Sequence, residues 1–425
     1  MVADATLRPW VIRPAPLILP PEGPSRLPPR DPSQQEPGYL EAFDTSTLFY
    51  DVFKSGRRVM AIGPPADSLS ALTHSLRVVD DKGRLWRLTP ECGLDRMGRY
   101  RGKRARDDRE HVGNTVRAGD DLAHRFRGRR AVVTVSKDND LEWVSAWGAW
   151  YASRHRADAL IIYDNGSTIY TLEELSQALA AVPGIAVAAV VDWPFKYGPI
   201  ARPPHMMWDS NFAQHGALEH ARWRLLRRSA GYLNADLDEL IIDADGRSVF
   251  GGAAARPSGV LHFRGIWAYP GPETPQARVP RHSDSTWIRR DAVNEHCAPK
   301  WCVVPSRLPR RSQLTVHKVT GVPGGRPEGF FFWHLRNIST NWDSNRTPLK
   351  ITLETHREDD RLRARFDGSE PPPSESLHQP SLAARLKYLP MRLRLAAPEW
   401  LKNTGRTLRH SGYVRLPLTR QRGNA

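Results

Sequence analysis

From residue 131 onward, apolar and polar positions fall into blocks that read alternately as strand and helix. Ala131 to Val135 is a buried-strand run. Asp138, Asn139 and Asp140 follow as N-cap side chains for a helix over Leu141 to Arg154. Trp143, Trp147 and Trp150 recur there at helical spacing and so form one packed face. Ala159 to Tyr163 is the next strand, closed by the turn residues Asp164-Asn165-Gly166-Ser167. Thr171 and Glu174 form a capping box for a helix that runs to about Val182 and stops at Pro183-Gly184. Ile185 to Val191 is a third strand. A long helix over about Ser210 to Arg228 lines up Ala213, Ala217, Leu218, Ala221 and Leu225 and ends at Ser229-Ala230-Gly231. Then comes an apolar run from Tyr232 to Ile242, interrupted by Asp236-Leu237-Asp238-Glu239. This alternation predicts an α/β domain with a mostly parallel sheet flanked by helices. Such sheets bind ligands beyond the carboxyl ends of their strands, where both acidic turns, at 164 and at 236–238, are expected.

The flanks differ. Residues 1–38 are rich in proline and are expected to be extended or flexible and need not join a core. Residues 39–129 read as a small β-rich domain followed by a connector. Arg57 to Ile62 is a strand there, and Asp81-Lys82-Gly83 is a hairpin turn between Leu76–Val79 and Leu85–Leu88. The arginine-crowded stretch 96–130 reads as the solvated connector. The α/β domain spans 130–345. Residues 346–425 hold a Pro/Ser linker at 367–380 and a basic, partly helical tail.

Composition narrows the function classes. The 425 residues leave room for two or three domains, at roughly 150 residues each. Hydrophobic content of 40% and charged content of 25% are those of a globular chain. The net charge of +16 favours acidic partners, and the tail from Arg385 onward carries ten Lys and Arg against Glu399 alone. Leucines and Trp400 interleave with those charges, which suits an anionic membrane surface. The three cysteines, Cys92, Cys297 and Cys302, exclude a disulfide scaffold and fit a reducing compartment. Cys297 and Cys302 read as buried thiols rather than a zinc site. No apolar run long enough for a transmembrane helix occurs, and the segment Ala15 to Leu19 is no signal peptide. The expected location is cytoplasmic, either free or peripheral on the inner membrane face. The sequons at Asn165, Asn337 and Asn345 are therefore read as chance matches.

The chemistry-bearing feature is Asp236-Leu237-Asp238-Glu239. Carboxylates two apart at a strand end can reach one divalent ion where the chain bends, and hard oxygen ligands suit Mg²⁺ or Mn²⁺ shared with substrate phosphates. Such an ion neutralises the charge that develops on a diphosphate leaving group. Asp164, after the second strand, can accept from the imide N–H of a uracil base, with Lys137, after the first strand, near the same nucleotide.

Together these segments resemble the GT-A-fold glycosyltransferases, and more closely their family 2-like and family 92-like branch. The resemblance rests on Lys137, on Glu142-Trp143, on Ile161-Ile162-Tyr163-Asp164-Asn165-Gly166-Ser167-Thr168, on Gln214, and on Leu233-Asn234-Ala235-Asp236-Leu237-Asp238-Glu239-Leu240-Ile241. It covers about residues 130–340. Two departures stand out: the branch's Asn-Glu after the first-strand lysine is Asp138-Asn139 here, and the aromatic after its Asp-Glu is Leu240. The resemblance implies sugar transfer from a nucleotide sugar, a UDP-sugar, to a glycan, glycolipid or other hydroxyl acceptor, dependent on Mn²⁺ or Mg²⁺ and inverting. It implies Asp164 at the base, Asp236 at the ribose or metal, and Asp238 as main metal ligand. Lys300, in His296-Cys297-Ala298-Pro299-Lys300-Trp301-Cys302-Val303-Val304-Pro305, would offset diphosphate charge. His334, in Phe330-Phe331-Phe332-Trp333-His334-Leu335-Arg336, would complete the metal shell, with His317 as second choice. Inversion needs a carboxylate base, for which Asp284, Asp291 and Glu295 are the candidates. Trp267, Trp287 and Trp342 are candidates for stacking on an acceptor sugar.

Two other classes compete. A non-catalytic polyanion-binding protein, for nucleic acid or membrane, accounts for the charge but for neither acidic motif. No helix-turn-helix, RRM or zinc-finger pattern occurs, and nucleic acid is not an expected partner. A nucleotidyltransferase would need a glycine- and lysine-rich phosphate loop, which is not found.

Overall fold

The computed structural model describes residues 9–105, 115–202, 206–243, 246–274, 279–292, 296–323, 329–340 and 351–367. Glu295, Trp342, Asn345, most of the 367–380 linker and the basic tail lie outside the described residues.

The chain opens with β1 (Trp10–Ile12). A second sheet follows, built from β2 (Asp51–Ser55), β3 (Arg58–Gly63), β4 (Arg77–Val79), β5 (Leu85–Pro90), β6 (Gly98–Arg104) and β7 (Thr115–Arg117) in the order β2-β3-β6-β5-β4-β7. The hairpin read at Asp81-Lys82-Gly83 joins β4 to β5, with Val78 opposite Trp86. The α/β part then runs through β8 (Arg130–Ser136), α1 (Leu141–His155), β9 (Ala159–Asp164), α2 (Leu172–Ala180), β10 (Val187–Asp192) and α3 (Phe212–His220). After it come β11 (Gly231–Asn234), β12 (Glu239–Asp243), α4 (Val249–Ala254), β13 (Val260–Ala268), β14 (His296–Val303), β15 (Phe330–Leu335) and α5 (Asp360–Phe366). Asp140 caps α1 by accepting from the Glu142 amide, and both halves of the Thr171–Glu174 capping box are formed.

Among the described residues nine strands make the large sheet, ordered β1-β10-β9-β8-β11-β14-β13-β15-β12. β1, β10, β9, β8 and β11 are parallel to one another. β14 joins β11 antiparallel, and β13, β15 and β12 continue as a mixed half. The α/β reading with a mostly parallel sheet therefore holds. Register brings Ser136, Asp164 and Asp192 level at the end of β8, β9 and β10, so the loops that follow these strands open on one edge.

Both faces of the sheet are covered, as a parallel sheet requires. On one face Val132, Leu160, Ile162 and Val190 pack against Trp143, Val144, Trp147 and Trp150 of α1 and Leu175 and Leu179 of α2. The tryptophans are thus one packed helix face. Gly148 permits this close approach, since a Cβ there would sit 2.7 Å from Leu160 Cδ1. On the other face Val133, Ile161, Tyr163 and Val191 pack against Ala213, Ala217, Leu218, Ala221 and Leu225, and also against Tyr50, Phe53, Met60 and Ile62. The six-stranded sheet thus supplies part of the second covering layer.

Three expectations change. The proline-rich segment is not apart from the core: β1 is the edge strand of the large sheet, pairing Trp10–Ile12 with Ala189–Val191. Arg26 and Arg30 fasten the following residues. Both are buried, Arg26 donating to the carbonyls of Asp44, Thr47 and Pro65 and Arg30 to Asp209 and the Met207 carbonyl. Proline removes donors but leaves carbonyls and extended backbone, which suit an edge strand. The stretch after 96 is not a plain connector, because β6 lies inside the second sheet with Arg99 buried. The long helix is shorter than its apolar pattern: α3 ends at His220 and continues as a π-helical turn, Ala221–Leu225. None of the three cysteines is in a disulfide, and Cys297 and Cys302 are buried. Among the described residues no helix is long and apolar enough to cross a membrane.

Candidate active site

The loops at the carboxyl edge of β8, β9, β10 and β11 surround a cavity of about 800 Å³. Lys137, Asn165, Gln214, Asp236, Asp238 and His334 line it. The chain reaches this edge because each parallel strand ends there before its crossover returns it to the opposite edge.

The first two loops are stapled together. Asp138 adopts a left-handed conformation, φ +52°, which aspartate tolerates better than most residues. Its amide donates to Ser167 Oγ at 2.9 Å, and its Oδ1 accepts from the Thr168 amide at 2.6 Å. Gly166, at φ +77°, turns the second loop. Asp164 holds that turn from inside. It is buried, and its carboxylate accepts from the amides of Gly166 and Ser167, at 3.2 and 3.0 Å, and from Ser167 Oγ, at 2.5 Å. Asp164 was expected at a nucleotide base; the cavity is lined by its neighbours Asn165 and Gly166, and Asp164 shapes their turn.

The acidic turn after β11 divides its work. Asp236 is 36% exposed on the cavity side, and its Oδ2 accepts from Lys300 Nζ at 2.5 Å. Lys300 is 2% exposed and also reaches Glu239 Oε2 at 3.2 Å. Burial opposes its charge, but Asp236 and Glu239 outweigh that and hold the ammonium above its usual range. Glu239 is the group that yields: burial pushes its carboxyl up to about 7, with Lys300 pulling the other way. Lys300 was expected to face a diphosphate. It is instead turned inward, off the cavity wall, where it neutralises the acidic turn from behind.

Asp238 and His334 come together from 96 residues apart, His334 Nε2 lying 2.8 Å from Asp238 Oδ2. β12 and β15 are paired antiparallel with Glu239 opposite His334, which sets the histidine beside the acidic turn. Both side chains stay slightly open, His334 15% and Asp238 13% exposed. His317, the second choice, has its Nδ1 on the Pro299 carbonyl at 3.1 Å and does not line the cavity.

Among the described residues no three His, Cys, Asp or Glu side chains gather as a metal cage. Mg²⁺ and Mn²⁺ need none, because one or two protein ligands with phosphate oxygens and waters complete the shell. An imidazole nitrogen and a carboxylate oxygen side by side on the cavity wall fit that requirement, and Asp236 adds its charge next to them.

Several expected residues are elsewhere. The Asp284 carboxylate accepts from the Arg281 amide, and Asp291 is paired with Arg289 on the surface; neither lines the cavity. The carboxylates on its wall, among the described residues, are Asp138, Asp236 and Asp238. Trp267 is stacked on His334 rather than open to a sugar, and Trp287 sits in the short strand Trp287–Arg289 paired to His356–Glu358. Sequence reading missed Phe195, Lys196 and Tyr197, which line the cavity after β10; Tyr197 donates to Gln214 Oε1 at 2.7 Å. Their signal was their position alone, just past the end of the third strand. No protein-family model matches the chain, and no curated protein matches it.

Proposed function

We propose that this chain is a divalent-metal-dependent glycosyltransferase of GT-A architecture. It moves a sugar from a nucleotide sugar, a UDP-sugar, to a hydroxyl of a glycan or glycolipid acceptor, with inversion. One observation carries the reading: residues singled out in separate segments of the sequence, Lys137, Gln214, Asp236, Asp238 and His334, line one cavity. Its volume, about 800 Å³, accommodates a nucleotide sugar and part of an acceptor.

Asp238 and His334 would hold Mn²⁺ or Mg²⁺, and the ion would supply charge for the departing diphosphate. Lys137 adds a second positive group on the same wall. Lys300 pairs with Asp236 and orients it without entering the cavity. The ring of Phe195 and the Tyr197–Gln214 pair suit the nucleoside end. The basic segment from Arg385 onward suits an anionic membrane surface, where a glycolipid acceptor would reside.

The test is hydrolysis of a panel of UDP-sugars with Mn²⁺ by wild type and Asp238→Ala. Slow, chelator-sensitive turnover that the substitution abolishes supports the reading. Absent turnover and absent UDP binding, with RNA or liposome binding unchanged in the variant, would identify a polyanion-binding protein instead.

A further inference from the structure

Trp267 was a candidate for sugar stacking, and the fold gives it a different task. β13 and β15 run parallel with Trp267 directly opposite His334. The two rings lie face to face, centroids 3.8 Å apart and planes 16° apart. Arg336, two residues beyond His334 on the same stretch, sets its guanidinium 4.6 Å from the same indole. The His334 imidazole is therefore fixed twice. The indole sets the plane of the ring, and Asp238 Oδ2 sets which edge faces the cavity.

A histidine on a wall open to solvent has two free torsions, and ordering it costs conformational entropy each time a ligand binds. A flat, half-buried indole under the ring removes that cost in advance. Supporting groups of this kind orient a metal-binding histidine as a hydrogen bond to its other nitrogen does elsewhere. We infer that Trp267 is a positioning residue: it pre-orders His334 for a divalent cation and leaves the acceptor sugar to other residues. This inference rests on the metal-dependent reading of the cavity.

The experiment is Mn²⁺ titration followed by electron paramagnetic resonance, with and without UDP. It compares wild type, Trp267→Leu, Trp267→Phe, His334→Ala and the double variant Trp267→Leu/His334→Ala, with thermal unfolding as a control on the fold. Trp267→Leu is expected to weaken Mn²⁺ binding about 10- to 100-fold. Trp267→Phe, which keeps an aromatic plane, is expected to stay within about threefold of wild type. The double variant is expected to bind no more weakly than His334→Ala, because the indole acts through that ring. Trp267→Met fills similar space without a plane; it carries the same expectation as leucine and covers the case in which the leucine variant does not fold. Wild-type affinity in the leucine or methionine variant beside a large loss in His334→Ala overturns the inference and leaves the metal reading standing. Additive losses in the double variant overturn it too. Wild-type affinity in His334→Ala overturns the metal role of His334 and the inference with it.

Discussion

Two gatherings of ionisable side chains contrast in this protein, and α3 touches both. Toward the cavity it offers Gln214. Toward the six-stranded sheet it offers Glu219 and His220, which sit in a sealed seam. Glu219 accepts from Arg99 at 2.5 Å, Arg222 at 3.3 Å, Trp223 Nε1 at 2.7 Å and the Leu314 amide at 2.7 Å. His220 bridges Tyr163 Oη, at 2.7 Å, and Asp51 Oδ2, at 2.8 Å, and Asp51 also pairs with Arg224. All these charges are buried and matched within the protein. At the cavity, Asp236, Asp238 and His334 remain partly open, while the inward Lys300 and Glu239 are sealed. A buried network whose members satisfy one another fixes how two layers meet. A network left partly open keeps charge available for a ligand. The Asp51–His220–Tyr163 chain has the residue types of a catalytic relay, but it has no access to solvent and belongs to the first kind.

The sharpest way to break this contrast is Glu219→Gln. It leaves Arg99 and Arg222 buried beside each other, and stability should fall by about 3–5 kcal/mol, read by urea unfolding. Any turnover lost should return at lower temperature, because the cavity wall is intact. Asp238→Ala should do the reverse. UDP-sugar turnover should drop about 100- to 1,000-fold, while unfolding shifts by about 1 kcal/mol. A large stability loss in this variant would place Asp238 with the sealed charges.

A third test uses pH. His155 is buried beneath β12; its Nε2 donates to the Ile241 carbonyl at 2.7 Å, and its Nδ1 accepts from the Val249 amide at 3.1 Å. Burial pushes its pKa down to about 4, from 6.5. Between these values the unfolded chain binds a proton that the folded one refuses, so stability is full above pH 6.5 and falls as pH drops toward 4. The slope is about 1.4 kcal/mol per pH unit. In His155→Gln this part of the slope should vanish, measured by unfolding at pH 7.5 and 5. The smallest effect is expected for Asp164→Asn. The amide keeps one of the oxygens that hold the turn, so stability should fall by about 1–2 kcal/mol with donor KM nearly unchanged. A tenfold rise in KM at unchanged stability would return Asp164 to the nucleotide base.

Much of the cavity wall was legible because its signals are local. Lys137 and Asp236 announce themselves as polar residues just past apolar strand runs, and Asp140 and Thr171 as caps. The partners of Lys300 were hidden because nothing within a few residues of it says which way a strand lysine points; β14 lies next to β11, and that neighbour turns it inward beneath Asp236. The partner of Trp267 was hidden for the same reason, being one strand away on β15. The role of residues 9–38 was hidden because proline content reports chain stiffness, not the neighbour that an edge strand finds.

The sequence by itself determined the strand–helix alternation, the caps and turns, and the acidic residues at the strand ends. Each of these follows from contacts within about four residues, where periodicity and capping decide the outcome. Tertiary structure alone decided which distant groups meet: Asp238 with His334, Lys300 with Asp236, Trp267 with His334, and the seam that makes the six-stranded sheet part of the α/β core. Strand order and burial set those pairings, because a side chain's partner across a sheet is chosen by the whole packed layer and not by its own neighbours in sequence.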